Sequence, residues 1–199
     1  MADPTLILAH GAGAGASHPW MQYVSAELKA RGVRVATFDF PYKAAGRRLP
    51  DKGPVLEAAW VEAWEQLASK AAGPVFAGGK SMGGRIASLV AAKSGFSPPP
   101  AGLIYFGYPL HPPSKPDQRR DRHLPDITLP MLFVHGTRDP FGTRDEMKDL
   151  VDELPTSTLA LVDKGDHSLL TSRSKPVGPD VLDGVRDWIA QIVAAGQHL

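Results

Sequence analysis

Pro74-Val-Phe-Ala-Gly-Gly-Lys-Ser-Met-Gly-Gly-Arg-Ile-Ala87 is the stretch on which the reading of this chain turns. Val75-Phe76-Ala77 is an apolar run of the kind that forms a buried strand, and Ile86, Leu89 and Val90 begin a helical stripe. Between them, Gly79-Lys80-Ser81-Met82-Gly83 fits G-x-S-x-G, a sharp strand-to-helix turn that presents a serine hydroxyl at its apex. Side chains two residues before and after that serine would strike neighbouring backbone, and glycine has none. The turn also sets Ser81 at a helix N-terminus, where free N–H groups favour developing negative charge. Five residues alone do not separate a nucleophile from an ordinary glycine-rich turn. The partners do.

Upstream, Thr5-Leu-Ile-Leu-Ala9 reads as a buried strand leading into His10-Gly-Ala-Gly-Ala-Gly-Ala16. A helix beginning near Ser17, with Pro19 in its first turn and Gly32 beyond its end, carries Met21, Val24 and Leu28. Val33–Phe38 is a second strand, and the basic stretch from Tyr42 to Gly53 reads as a solvated loop. Pro54 opens a helix whose apolar stripe runs through Leu56, Trp60, Ala63, Leu67 and Ala71; Trp60 and Trp64 are read as packing residues.

Downstream, Gly95 and Pro98-Pro-Pro100 stop the helix after Ser81. Gly102–Phe106 is a fourth strand. A proline-rich connection from Gly107 to Pro130 follows, with Lys115, Arg119, Arg120 and Arg122 around Asp117 and Asp121, and is read as a solvated loop in preference to a dedicated anion site. Met131–Val134 is the fifth strand, and Thr143 with Glu146 forms a capping-box pattern for the next helix. Thr158–Val162 is the sixth strand, and Pro179 opens the last helix. Six apolar runs alternating with helices predict one domain over residues 1–199. Its fold class is a three-layer α/β/α sandwich with a six-stranded, mostly parallel sheet in the order 2-1-3-4-5-6.

Functional groups in such sheets gather beyond the carboxyl ends of the strands. Those ends carry His10-Gly11-Ala12, Ser81, Asp139 and His167, so a nucleophile, an acid and a base follow in the order Ser…Asp…His. A serine hydroxyl needs a base to take its proton, and the imidazole needs a third group to hold its tautomer. Asp163 and Asp166 share a loop with His167 and point poorly for orienting its ring, and Asp145 falls inside a predicted helix, so Asp139 is favoured over these acids. His10 and His135, each before a glycine at a strand end, read as structural. His18, His111, His123 and His198 have no metal-ligand spacing.

With these motifs in place, the chain resembles the α/β-hydrolase superfamily over nearly its whole length. The resemblance rests on His10-Gly11, Gly79-Lys80-Ser81-Met82-Gly83, His135-Gly-Thr-Arg-Asp139 and Gly165-Asp-His167. Gly-Lys-Ser-Met-Gly-Gly-Arg with Gly-Thr-Arg-Asp-Pro-Phe-Gly is similar to a small branch named for testis-expressed and chromatin-complex-subunit proteins, akin to dienelactone hydrolases. It implies a Ser81–His167–Asp139 triad and an oxyanion hole from the backbone N–H groups of Ala12 and Met82. The sequence departs from typical members in two ways. It begins at the strand carrying His10-Gly11, so the usual leading antiparallel strands are expected to be missing. It also has no insertion large enough for a lid, only the stretch from Gly107 to Pro130, which makes the expected fold a minimal α/β-hydrolase without a lid domain. The dienelactone hydrolases' nucleophile is cysteine, so their substrate does not carry over to a serine.

The expected activity is therefore that of a serine hydrolase cleaving a small carboxylic ester or thioester, with no cofactor and no metal. The alternatives are a non-catalytic binding or scaffold protein on the same fold, or a dinucleotide-binding Rossmann protein. The last draws on Gly11-Ala-Gly13-Ala-Gly-Ala16 and Asp39 but leaves the other motifs unexplained. A P-loop reading of Gly79-Lys80-Ser81 fails because Pro74 occupies the position of its first glycine. Twenty-two basic against 21 acidic residues give no reason to expect nucleic acid or membrane as partner, and the absence of cysteine excludes thiolate chemistry. With no signal-like or spanning segment, a cytoplasmic monomer or homodimer is expected.

Overall fold

A computed structural model of the protein describes residues 2–172 and 177–196; His198 lies outside them. Six strands form one sheet: β1 (Thr5–Ala9), β2 (Arg34–Phe38), β3 (Val75–Lys80), β4 (Leu103–Phe106), β5 (Met131–Gly136) and β6 (Ser157–Val162). Their order is β2-β1-β3-β4-β5-β6 and all five pairings are parallel, so the expected order holds and the sheet carries no antiparallel strand. Parallel neighbours need crossovers, and the longer helices supply them: α1 (Pro19–Ala30), α3 (Gly53–Ala68), α4 (Met82–Ala92), α5 (Arg144–Asp152) and α6 (Pro179–Ala195).

The strand period of two divides the core into two layers. Ile7, Leu103, Tyr105, Met131 and Phe133 pack with Trp60 and Trp64 of α3, Ile86 of α4 and Met147 of α5. Leu6, Leu8, Ile104, Phe106, Leu132 and Val134 face the other way, onto Val24 of α1 and Leu182 and Val185 of α6. A strand buried on both faces reads as a continuous apolar run, which is why β1, β4 and β5 were legible.

The stretch read as a solvated loop after β2 is different at its start. Phe40 and Tyr42 are fully buried, and Pro41–Ala44 makes a one-turn helix, α2. Pro41 at its first position presets the backbone, and two aromatic rings outweigh the surrounding charges. α3 ends at Ala68, so Ala71 lies beyond it. The connection from Gly107 to Pro130 carries one short 3-10 turn, Leu124–Asp126, and part of it is buried, including Tyr108, Leu110 and Leu124.

Candidate active site

Ser81 stands between the last residue of β3 and the first of α4, with φ 50° and ψ −115°, a conformation that side-chain-bearing residues rarely adopt. The turn closes because Gly79 and Gly83 have no side chains. A Cβ on Gly79 would collide with the backbone of Gly83 and Gly84, and one on Gly83 would come within 2.5 Å of the Ala9 carbonyl oxygen. The Ser81 N–H donates to the Phe106 carbonyl (3.0 Å), tying the turn to the end of β4.

The loops after β5 and β6 bring two more groups to this point. His167 Nδ1 lies 2.7 Å from Asp139 Oδ2, and His167 Nε2 lies 2.8 Å from Ser81 Oγ. A carboxylate accepts only, so Nδ1 carries the proton and Nε2 is left to accept from the serine hydroxyl. The other oxygen of Asp139 accepts the Phe141 N–H (2.8 Å), and Asp139 is 3% exposed, so both its oxygens have a partner in the protein. Asp166 Oδ1 instead accepts the N–H groups of Ser168 and Leu170 within its own loop. The geometry separates the two acids: Asp139 meets the imidazole and Asp166 shapes the turn.

Three residues hold His167 in place. Phe141 stacks on its ring at 4.2 Å between centroids; Trp20 Nε1–H donates to the carbonyl of the next residue, Ser168 (2.9 Å); and Lys80 Nζ donates to the carbonyl of His167 itself (2.5 Å). Sequence reading did not assign these roles to Trp20 and Phe141. Each lies near a motif, but nothing in local spacing says which loop it will cover. Burial pushes the imidazole of His167 below its ordinary value and the Lys80 charge pushes the same way, while the bond to Asp139 pulls it back. Burial also pushes the Lys80 ammonium down to about 8, against the pull of Asp139 and Asp166. The neutral imidazole, the form able to accept a proton, is favoured at neutral pH.

Ser81 opens onto a cavity of about 520 Å³ that Ala12 and Met82 also line. The backbone N–H groups of Ala12 and Met82 have no hydrogen-bond partner among the described residues. Met82 is the first residue of α4, where helix N–H groups lack an intrahelical acceptor. His10, buried at the start of the Ala12 loop, is occupied on both sides: Nδ1–H donates to the Gly11 carbonyl (2.8 Å) and Nε2 accepts the Phe40 N–H (3.1 Å). His135 is likewise structural, with Nε2–H donating to the Gly142 carbonyl (2.8 Å). No cluster of three or more metal-ligating side chains occurs among the described residues. None of their helices is long and apolar enough to cross a membrane.

Comparison with known proteins agrees with this architecture. Est1E from Butyrivibrio proteoclasticus superposes with a TM-score of 0.71 at 16% identity, over 96% of this chain and 89% of that one. A dienelactone hydrolase from Anabaena variabilis gives 0.69 at 21% identity, over 96% and 85%. A monoacylglycerol lipase from Paleococcus ferrophilus gives 0.70 at 15% identity, over 94% of each chain. At these identities the likeness is one of fold. Among curated proteins, RutD of Stutzerimonas stutzeri, named as a candidate carbamate hydrolase, is 31% identical over 75 residues. That match takes in 38% of this chain and only 28% of the relative's length. Residues 2–194 match the family described as Alpha/beta hydrolase domain, and with a match over nearly its whole length the chain belongs to that family.

Proposed function

We propose that the protein is a serine hydrolase that cleaves small carboxylic esters or thioesters through Ser81, His167 and Asp139. The observation that carries this reading is the continuous hydrogen-bonded run from Ser81 Oγ through both nitrogens of His167 to Asp139 Oδ2. His167 Nε2 takes the hydroxyl proton as Ser81 Oγ attacks the carbonyl carbon, and Asp139 stabilises the resulting imidazolium. The carbonyl oxygen becomes an oxyanion facing the free N–H groups of Ala12 and Met82. Collapse breaks the bond to the leaving oxygen or sulfur, which takes the proton from His167. Water, deprotonated by the same imidazole, then attacks the acyl-enzyme and releases acid and free serine.

The Gly107–Pro130 connection adds only a 3-10 turn, too little for a helical lid, so the reading favours short acyl groups over long lipids. A fluorophosphonate probe followed by peptide mass spectrometry tests the nucleophile. A covalent adduct on Ser81 is expected; folded protein that takes up no label there is the result of a non-catalytic binding or scaffold protein. A series of p-nitrophenyl esters tests the chain length: acetate and butyrate should exceed dodecanoate in kcat/KM.

A further inference from the structure

Three cationic side chains and no carboxylate line the cavity in front of Ser81: Lys80, Arg85 and Arg120. Lys80 is committed to the His167 carbonyl. Arg85 and Arg120 are not. Neither guanidinium has an ion-pair or hydrogen-bond partner among the described residues. Their neighbours behave otherwise: Arg119 is paired with Asp121, and Arg122 is exposed to solvent.

Both free arginines are held on anchored backbone. Arg85 lies one helical turn after Ser81 in α4, and its N–H donates to the Ser81 carbonyl (3.1 Å). Helical side chains lean toward the N-terminus, and Arg85 lines the cavity that Ser81 opens onto. Arg120 is tethered twice: its N–H donates to the Leu110 carbonyl (2.8 Å), and its own carbonyl accepts the hydroxyl of the buried Tyr108 (2.7 Å). The two charges are close enough to oppose each other, and burial and Arg85 together hold the Arg120 pKa below its ordinary value. Two half-buried like charges with no counter-ion raise the free energy of the empty site, and an anion between them relieves it.

We propose that Arg85 and Arg120 form an anion subsite, and that the substrate is a small ester or thioester carrying a carboxylate or phosphate a few bonds from the scissile carbonyl. This deepens the serine hydrolase reading and rests on it. One turn of helix, about 5.4 Å, separates Arg85 from Ser81 along α4, which suits an acyl chain of glutarate length.

The test compares two isosteric substrates, mono(4-nitrophenyl) glutarate, an anion, and 4-nitrophenyl glutaramate, its neutral amide. The expected preference for the anion in kcat/KM is on the order of tenfold or more, falling as salt is added. In the Arg85→Gln/Arg120→Gln variant that ratio should fall to about one. Inorganic phosphate and free glutarate, each titrated as an inhibitor of the neutral ester, identify the anion: the one that inhibits at lower concentration is the group the subsite takes. Equal rates on the two esters with no inhibition by either anion overturn the subsite, as does a preference that the double variant keeps. If neither ester turns over and Ser81 takes no fluorophosphonate, the hydrolase reading has failed instead. The subsite is then judged by melting temperature alone. Glutarate or phosphate should raise it in the wild type and not in the variant, and no shift in the wild type overturns it.

Discussion

Lys80 and His167 are joined backward from the usual direction of interest: the ammonium of Lys80 donates to the main-chain carbonyl of His167, not to its ring. The lysine immediately before Ser81 thereby fixes the loop that brings the imidazole to the same serine. Its charge also lowers the proton affinity of that imidazole.

Lys80→Met removes both the tether and the charge. A lost charge-assisted hydrogen bond is worth about 1.5–3 kcal/mol, so kcat/KM should fall by roughly tenfold or more. With the nearby cation gone, the His167 pKa rises, and the acid limb of the pH–rate profile moves to higher pH. A limb that stays in place would show that Lys80 acts on loop structure alone.

The same lysine makes a prediction about stability. Its folded value is depressed to about 8, whereas the unfolded chain holds the proton up to about 10.5. Between those values the unfolded state binds more protons, so this group adds stability as pH rises from about 8 to about 10.5. Methionine does not titrate. The melting temperature of wild type relative to Lys80→Met should therefore climb over that window.

Asp139→Asn should leave the fold intact and lower turnover by a factor on the order of ten thousand, as loss of the reactive tautomer does in serine proteases. An asparagine amide has to turn one donor group toward either the His167 Nδ1–H or the Phe141 N–H, and both already donate. Asp166→Asn, which can still accept the Ser168 and Leu170 N–H groups through its carbonyl, should lose far less, and Asp163→Asn less again. Steady-state rates and melting curves on the three variants decide; a dead Asp166→Asn beside an active Asp139→Asn would reverse the assignment of the acid.

Phe141→Ala uncovers one face of the His167 ring. Burial is the main cause of its lowered pKa, so admitting water should raise it. An NMR titration of the imidazole should show the upward shift without any change in net charge near the ring.

Glycines sort by what a methyl group would meet. Gly79→Ala drives a Cβ into backbone at the serine turn and should cost on the order of 3 kcal/mol or prevent folding. Gly184, exposed in α6, meets nothing within 4 Å, so Gly184→Ala should stabilise by about 0.5–1 kcal/mol. Denaturant titrations of the two variants should move in opposite directions.

The buried strands, the serine turn and the three side chains that meet by hydrogen bonds, Ser81, Asp139 and His167, were legible in the chain. The reason is that each is written locally: two-sided burial as an unbroken apolar run such as Leu103–Phe106, and the turn as glycines where no Cβ fits. Asp139 was favoured over Asp166 because an acid in the histidine's own loop points poorly at its ring, and the hydrogen bond to His167 Nδ1 does come from the neighbouring loop. Other features depended on loops meeting across the carboxyl edge of the sheet. Tyr42 sits in a charged stretch yet is buried, because it joins a core cluster with residues distant in the chain, and its ring also meets that of His10. Trp20, Lys80 and Phe141 converge on His167 from three separate segments. Arg119, Arg120 and Arg122 look alike in sequence. Only the packing of Tyr108 and the nearness of Asp121 decided that one would be paired, one would face the cavity and one would face water. Local pattern encodes what each segment can become; which side chains share a cavity is set by the long-range contacts that close it.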